Sequence, residues 1–101
     1  MTAKPPRTRV TVLGLMRRPD GRVLVERCHD RHDGETFYRA MGGGVEFGEY
    51  AAAALAREFM EELGLPITVG ARRAVVENIF VYEGAAGHEI VFIHDVVPAP
   101  P

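Results

Sequence analysis

Three glutamates lie close together on one predicted helix, in the stretch GEYAAAALAREFMEELGL. At about 100° per residue, Glu61 and Glu62 fall within roughly 60° of Glu58 around the helix axis. Like charges at this spacing destabilise a helix by roughly 0.2–0.5 kcal/mol per pair, and Arg57 reaches Glu61 only in the weaker orientation. Clustered carboxylates of this kind suit a hard divalent cation such as Mg²⁺ or Mn²⁺. The alternative, a solvated charged face, fits the spacing poorly.

A run of glycines, Gly42 to Gly44, precedes this helix and permits a close approach of a ligand to the main chain. The spacing is Gly43, five residues, Glu49, seven residues and then REFMEELGL, which is Arg57 to Leu65. Every fixed position matches the Nudix box, G-x5-E-x7-R-E-U-x-E-E-x-G-U, in which U is a bulky apolar residue and Phe59 is the loosest match. The sequence therefore resembles that of a Nudix hydrolase.

This resemblance implies an enzyme that uses metal-activated water to cleave the pyrophosphate linkage of a nucleoside diphosphate linked to another moiety. Nucleoside triphosphates, dinucleoside polyphosphates and ADP-ribose are substrates of this type. The implied cofactor is Mg²⁺ or Mn²⁺. Its implied ligands are the carboxylates of Glu58, Glu61 and Glu62 and the carbonyl of Gly42. The implied catalytic residues are Glu58, Arg57 as the residue that orients it, and Glu49 as a supporting group.

Four residues outside the box are further candidates for the site. Nudix enzymes often use an additional carboxylate at the metals or as the base, and Glu89 is the candidate here; the alternative is an exposed glutamate at a hairpin end. Arg27 and Arg39 lie on strands that flank the predicted site and could contact phosphate, although a surface role is the default. Tyr82 lies 17 residues beyond the box, about where dinucleoside polyphosphate hydrolases of the family tend to carry a tyrosine.

Composition limits the partners. A chain of 101 residues favours one domain, and its net charge of −2 gives no reason to expect a nucleic acid or an anionic membrane as partner. The expected partner is a small-molecule nucleotide. A single cysteine, Cys28, excludes an intrachain disulfide and fits a reducing, cytoplasmic location. No apolar run approaches the roughly 20 residues that span a bilayer.

The pattern along the chain predicts an α+β domain with a mixed sheet. We expect Gly64 to form a left-handed cap at the helix end and Pro66 to prevent continuation. A Pro-Asp-Gly turn is expected to pair the first two strands as a hairpin, and EGAAG to join the last two. The predicted strands are Val10–Met16, Val23–Cys28, Phe37–Met41, Ala71–Tyr82 and His88–Val97, and the predicted helix is Glu49–Leu63.

The predicted organisation is a flexible tail at 1–9, a Nudix-type domain at 10–97 and a Pro-rich end at 98–101. The resemblance implies an α/β/α sandwich, but the C-terminal helix of that sandwich is apparently absent from this sequence. Either the chain is a shortened form, or a partner such as a second copy in a homodimer covers the face. The alternative function is a non-catalytic Nudix-like nucleotide-binding or regulatory module, and the complete box favours the enzyme.

Overall fold

The computed structural model describes residues 5–100. Within them, five strands and one helix follow in the order β1, β2, β3, α1, β4, β5, which confirms the α+β class. The first four residues of the predicted 1–9 tail lie outside the described range, and its last residue, Arg9, already belongs to β1. The elements are β1 (Arg9–Met16), β2 (Val25–His29), β3 (Thr36–Gly44), α1 (Ala51–Leu63), β4 (Ile67–Tyr82) and β5 (Ala85–Pro98).

The strands form one mixed sheet in the order β2-β3-β1-β5-β4. Strand β1 pairs antiparallel with β3 and parallel with β5, while the β2–β3 and β4–β5 pairs are antiparallel. The apolar run of β1 on both of its faces is typical of such a central strand. The predicted mixed sheet is therefore confirmed.

Only the start of the predicted hairpin between the first two strands forms. Arg17 makes an antiparallel bridge with Val23, and the N–H of Leu24 donates to the carbonyl of Met16 at 2.9 Å. Strand β2 pairs with β3, from Val25 opposite Ala40 to His29 opposite Thr36. Both edges of β1 are already occupied by β3 and β5, so β2 can only extend the sheet at its outer edge. The Pro-Asp-Gly turn thus brings the chain back to the end of β1, and β2 then continues along β3.

The glycine run belongs to strand β3, which continues past the predicted end at Met41. Residues 42–44 pair with residues 11–13 of β1. A Cβ atom on Gly42 would overlap the carbonyl oxygen of Val12. The glycine run therefore allows β1 and β3 to approach closely. Composition alone does not show whether such a run lies in a strand or in a loop.

Helix α1 ends as predicted and begins two residues later than predicted. Gly64 has φ 62° and donates its N–H to the carbonyl of Met60 at 2.9 Å, which confirms the left-handed cap. At the other end, Tyr50 makes no side-chain cap hydrogen bond. The helix packs over β1 and β3 on one face of the sheet, and the largest side chains fully buried there are Phe59, Leu55 and Val12.

Strands β4 and β5 form the predicted hairpin, with a shorter turn and longer strands than expected. Tyr82 lies opposite Ala85, so only Glu83 and Gly84 form the turn. Both have positive φ, 53° and 75°, as the two central residues of a type I′ turn require. Strand β4 starts directly after Pro66, four residues before its predicted start.

The face of the sheet opposite α1 carries no helix within residues 5–100. The cover that the resemblance implied is therefore not found in this part of the chain. None of the described residues forms a helix long and apolar enough to cross a membrane.

Replacement of Gly42 by alanine should destabilise the fold by about 1–3 kcal/mol, because the new Cβ would meet the backbone of Val12 and Leu13. Gly43→Ala is the matched control. The three heavy atoms nearest to its Cβ all belong to the end of the Glu58 side chain, which can shift at a lower cost than the backbone. Urea unfolding of both variants measures the difference, and equal losses of stability would contradict the close approach of β1 and β3.

Candidate active site

One guanidinium group, that of Arg57, connects the acidic residues of the candidate site. Its Nε and Nη2 donate to the two carboxylate oxygens of Glu49, at 2.8 and 2.9 Å. Its Nη1 lies 3.0 Å from Glu58 and 3.3 Å from Glu61. Nη2 also donates to the carbonyl of Gly44 at 3.0 Å. Arg57 thus contacts two of the three helix glutamates, Glu58 in addition to the Glu61 contact that the helix spacing predicts.

Glu49 holds this arrangement from the segment before α1. Its side chain accepts the backbone N–H of Glu46 at 3.1 Å in addition to the Arg57 pair, so it fixes both the approach to the helix and the guanidinium. The hydrogen bond from Arg57, followed by that from Glu46, lowers the pKa of Glu49 from 4.5 to about 2. The same contact with Glu49, followed by those with Glu58 and Glu61, raises the pKa of Arg57 despite the opposing effect of burial.

The carboxylate of Glu58 lies directly against strand β3. Its side chain is only 15% exposed, and a Cβ on Gly43 would come within 2.6 and 2.7 Å of its two oxygens. Glycine at this position therefore leaves the space that Glu58 occupies. Glu61, with a side chain 58% exposed, and Glu62, also exposed, continue the acidic row towards solvent.

The chemistry of these donors fits a hard cation, because carboxylate and carbonyl oxygens are the ligands that Mg²⁺ and Mn²⁺ prefer. In residues 5–100, however, no three His, Cys, Asp or Glu side chains already converge as a metal cluster. Glu58 is held by Arg57, whereas the outer two glutamates extend to solvent. Residues Glu58, Glu61, Glu62 and the Gly42 carbonyl could thus hold a metal only after the outer side chains turn inward.

A cleft of about 900 Å³ begins beside the glycines. Gly43 and Gly44 line one part of it, and Thr11, Leu13 and Val91 from the central strands form its floor. This volume is near the upper end of the range that small-molecule sites occupy, about 300–1,000 Å³. Gly43 therefore touches the Glu58 carboxylate and also lines a cavity large enough for a nucleotide.

Glu89 lies in the middle part of this cleft and not at an exposed hairpin end. Its side chain is 16% exposed and forms an ion pair with Arg9 at 3.6 Å. The guanidinium of Arg9 also lies against Gly44. Arg9 was predicted to lie in the flexible tail at 1–9, and it was not predicted to be a site residue. The alternating pattern that begins RVTVL was the signal that could have extended the first strand to Arg9.

The three candidate substrate-binding residues all line the same cleft. Arg39 pairs with Glu26, with 2.6 Å between its Nε and the carboxylate. The hydroxyl of Tyr82 donates to the carbonyl of His29 at 3.3 Å, and its ring packs edge-on against Phe37. Arg27 is exposed at the cleft wall. The structure thus groups these residues in one cavity, and their roles stay predictions.

The chain was compared with known families and proteins. A family model described as a NUDIX domain matches residues 7–100. The comparison with curated proteins found no match.

Among solved structures, the E. coli ORF135 protein is 27% identical over 94% of this chain, with a TM-score of 0.65. A MutT NUDIX hydrolase from Burkholderia pseudomallei is also 27% identical over 94% of this chain, again with a TM-score of 0.65, and this chain covers 73% of it. The MutT protein from Methanosarcina mazei Go1 is 23% identical to this chain, with a TM-score of 0.67. The match covers 98% of this chain and 70% of the Methanosarcina protein, and at this identity it supports the fold alone. This chain spans 63% of the length of the E. coli protein.

The lowered pKa of Glu49 predicts how stability depends on pH. A carboxylate with a lower pKa in the folded chain stabilises the fold above its unfolded pKa, and this contribution disappears as pH falls from 4.5 to about 2. Wild type should therefore be more stable than Glu49→Gln at about pH 6, and the difference should narrow below about pH 4.5. Chemical unfolding across this range measures it. The exposed Glu77, replaced by Gln, is the control, and a Glu49→Gln difference that does not change with pH would contradict the Arg57–Glu49 contact.

Proposed function

Because the chain belongs to the Nudix family, we propose that it hydrolyses the pyrophosphate linkage of a nucleoside diphosphate linked to another moiety. The observation that carries the proposal is the position of Gly43. One side of this residue touches the Glu58 carboxylate, and the residue also lines the cleft. A nucleotide in that cleft has its phosphates beside the acidic row of α1. The 27% identity with a MutT NUDIX hydrolase supports the same reaction class.

Each side chain of the row has a proposed role. Glu58, Glu61, Glu62 and the Gly42 carbonyl would hold Mg²⁺ or Mn²⁺. Such a cation neutralises charge on the pyrophosphate oxygens and lowers the pKa of an attacking water when it is bound. Glu58 accepts the proton of that water, because a carboxylate held in place can act as a general base.

Two residues keep Glu58 in position. Arg57 holds one of its oxygens at 3.0 Å, and Glu49 fixes Arg57 through two further hydrogen bonds. Partial burial restricts the rotamers of Glu58 further. Glu89 is the second candidate for the base, since it is one of the carboxylates that line the cleft.

The cleft supplies cations and aromatic rings for the substrate. Arg27 and Arg39 offer charge to phosphate, and Arg9 is an addition to this set because it lies against Gly44. Tyr82 and Phe37 offer apolar ring surface at the other wall. Nucleoside triphosphates, dinucleoside polyphosphates and ADP-ribose all combine phosphoanhydrides with a nucleoside that such a cavity can hold.

A non-catalytic nucleotide-binding module is the second candidate. The observation in its favour is that, within residues 5–100, no three acidic side chains are already grouped so that they could hold a metal ion. Turnover distinguishes the two functions, because a binding module retains the nucleotide unchanged. A cytoplasmic location and a homodimer stay predictions; the free Cys28 supports the first, and the uncovered sheet face supports the second.

The test is hydrolysis of ATP, diadenosine tetraphosphate and ADP-ribose in the presence of Mg²⁺ or Mn²⁺. Turnover of at least one substrate should stop with excess chelator and return with added metal. Glu58→Gln should lower kcat by about 10²–10⁴-fold, because it removes both a ligand and the proposed base. Glu46→Gln is the matched control, since Glu46 lies 3.9 Å from the same guanidinium but outside the proposed metal ligands. Equal turnover in chelator would refute metal-dependent hydrolysis, and binding without turnover would favour the module.

A further inference from the structure

The loop between β2 and β3, residues 30–35, is bound to the β4–β5 turn through Asp30. Asp30 is only 5% exposed. One of its oxygens accepts the backbone N–H of Glu83 at 3.0 Å. The other accepts the N–H of His32 at 2.8 Å and that of Asp33 at 3.3 Å. A single carboxylate therefore joins two hairpins that are 53 residues apart in sequence.

A second set of contacts joins the same two segments in the opposite direction. The Glu83 carboxylate accepts the backbone N–H of Arg31 at 2.8 Å and its Nε at 3.1 Å. We call Asp30, Arg31 and Glu83 the latch. Because each acidic residue receives the backbone N–H of the other segment, the latch fixes main-chain positions and not only side chains.

The β4–β5 turn has an unfavourable backbone conformation at Glu83 of the latch. Glu83 has φ 53°, a left-handed conformation in which non-glycine residues are uncommon. Burial raises the pKa of Asp30, but the N–H groups of Glu83, His32 and Asp33 outweigh that effect and keep the pKa below its ordinary value. The charged form of Asp30 is thus the one that the latch uses.

The latch closes the cleft at the end far from the acidic row of α1. Strand β3 leads from Thr36, beside the latch, to Gly43, and seven steps of about 3.3 Å correspond to roughly 20 Å. Strands β2 and β4 are the two outer strands of the sheet, so the latch joins opposite edges. Asp30, Phe37 and Tyr82 all line the cleft at this end.

We propose that Asp30 is a positioning residue that increases the affinity of the cleft for the nucleoside part of the substrate. It acts by holding the Phe37 wall against the Tyr82 wall, where the edge-on rings lie 5.8 Å apart. The inference rests on the proposed function, in which the phosphates lie beside Gly43 and the nucleoside extends towards the latch. An ordered cavity binds its ligand more tightly because less conformational freedom is lost on binding.

A purely structural role predicts something different. If the latch only stabilised the fold, its removal would lower the melting temperature and leave the affinity of the folded protein unchanged. A positioning role instead raises KM and the dissociation constant of a nucleotide while kcat changes little, because the groups that perform the reaction lie at the other end of the cleft.

Three variants separate these roles. Asp30→Asn replaces one acceptor oxygen by an N–H₂ group and so breaks part of the latch. Glu83→Gly removes the second set of contacts but relieves the left-handed backbone, which guards against loss of folding. Asp20→Asn is the matched control, because Asp20 also accepts a backbone N–H two residues ahead, at 3.0 Å, but lies in the β1–β2 turn outside the described residues that line the cleft.

The measurements are amide hydrogen exchange, binding of α,β-methylene-ATP with Mg²⁺, and kcat and KM for the substrates that wild type hydrolyses. Asp30→Asn should speed exchange at the Glu83 amide by at least about tenfold and raise the dissociation constant and KM by about three- to tenfold, with kcat within about threefold. Glu83→Gly should show a smaller rise, and Asp20→Asn none.

The outcomes distinguish the inference from the proposed function. Unchanged exchange at Glu83, or unchanged binding and KM in folded Asp30→Asn, would overturn the role of Asp30 while hydrolysis by wild type stands. Nucleotide binding that weakens in Asp30→Asn although wild type shows no turnover would support the role of Asp30 and refute the hydrolase. Failure of wild type to bind α,β-methylene-ATP would overturn the inference as well.

Discussion

The hydrogen bonds of the Arg57 guanidinium are the interactions on which the candidate site depends. They join Glu49 before the helix, Glu58 on the helix and the Gly44 carbonyl at the end of β3. A planar fork with several fixed donors can make these contacts at once, whereas a lysine ammonium offers a single point charge. The acidic row can therefore exist on one helix face because a cation from the same helix already offsets part of its charge.

Stability alone does not explain this arrangement. Ion pairs with solvent access contribute little to folding, and Glu61 is more than half exposed. What the contacts provide is position: Glu58 is held against Gly43, and Gly43 borders the cleft. The same division of roles applies at the other end of the cleft, where Asp30 and Glu83 exchange backbone hydrogen bonds. The cleft therefore has Gly43 and Gly44 at one end and Asp30, Phe37 and Tyr82 at the other.

The sequence predicted those features that depend on local spacing. The helix, its cap at Gly64 and the positions of the three glutamates on it follow from residues within one stretch. The structure confirms them, except that the helix begins two residues later than predicted. The start of the predicted hairpin at Arg17 and Val23 forms, but the pairing of β2 with β3 was not predicted. That pairing depends on which edges of β1 are free, and this is decided by β3 and β5 farther along the chain. Glycines in a strand and glycines in a loop give the same sequence signal, so the third strand was predicted to end at Met41 and not at Gly44. Arg9 and Asp30 were missed for a similar reason, since their partners Glu89 and Glu83 are remote in sequence.

In the proposed function, the acidic row of α1 and the end of β3 form one divalent-metal site beside the cleft. Paramagnetic broadening of backbone amide signals by Mn²⁺, recorded at increasing metal concentration, tests it most directly. The first signals to broaden should be those of residues 58–62 and 42–44, and excess Mg²⁺ should restore them. Broadening centred on another acidic segment, such as the loop at 30–35, or no localised broadening in the folded protein, would contradict the claim.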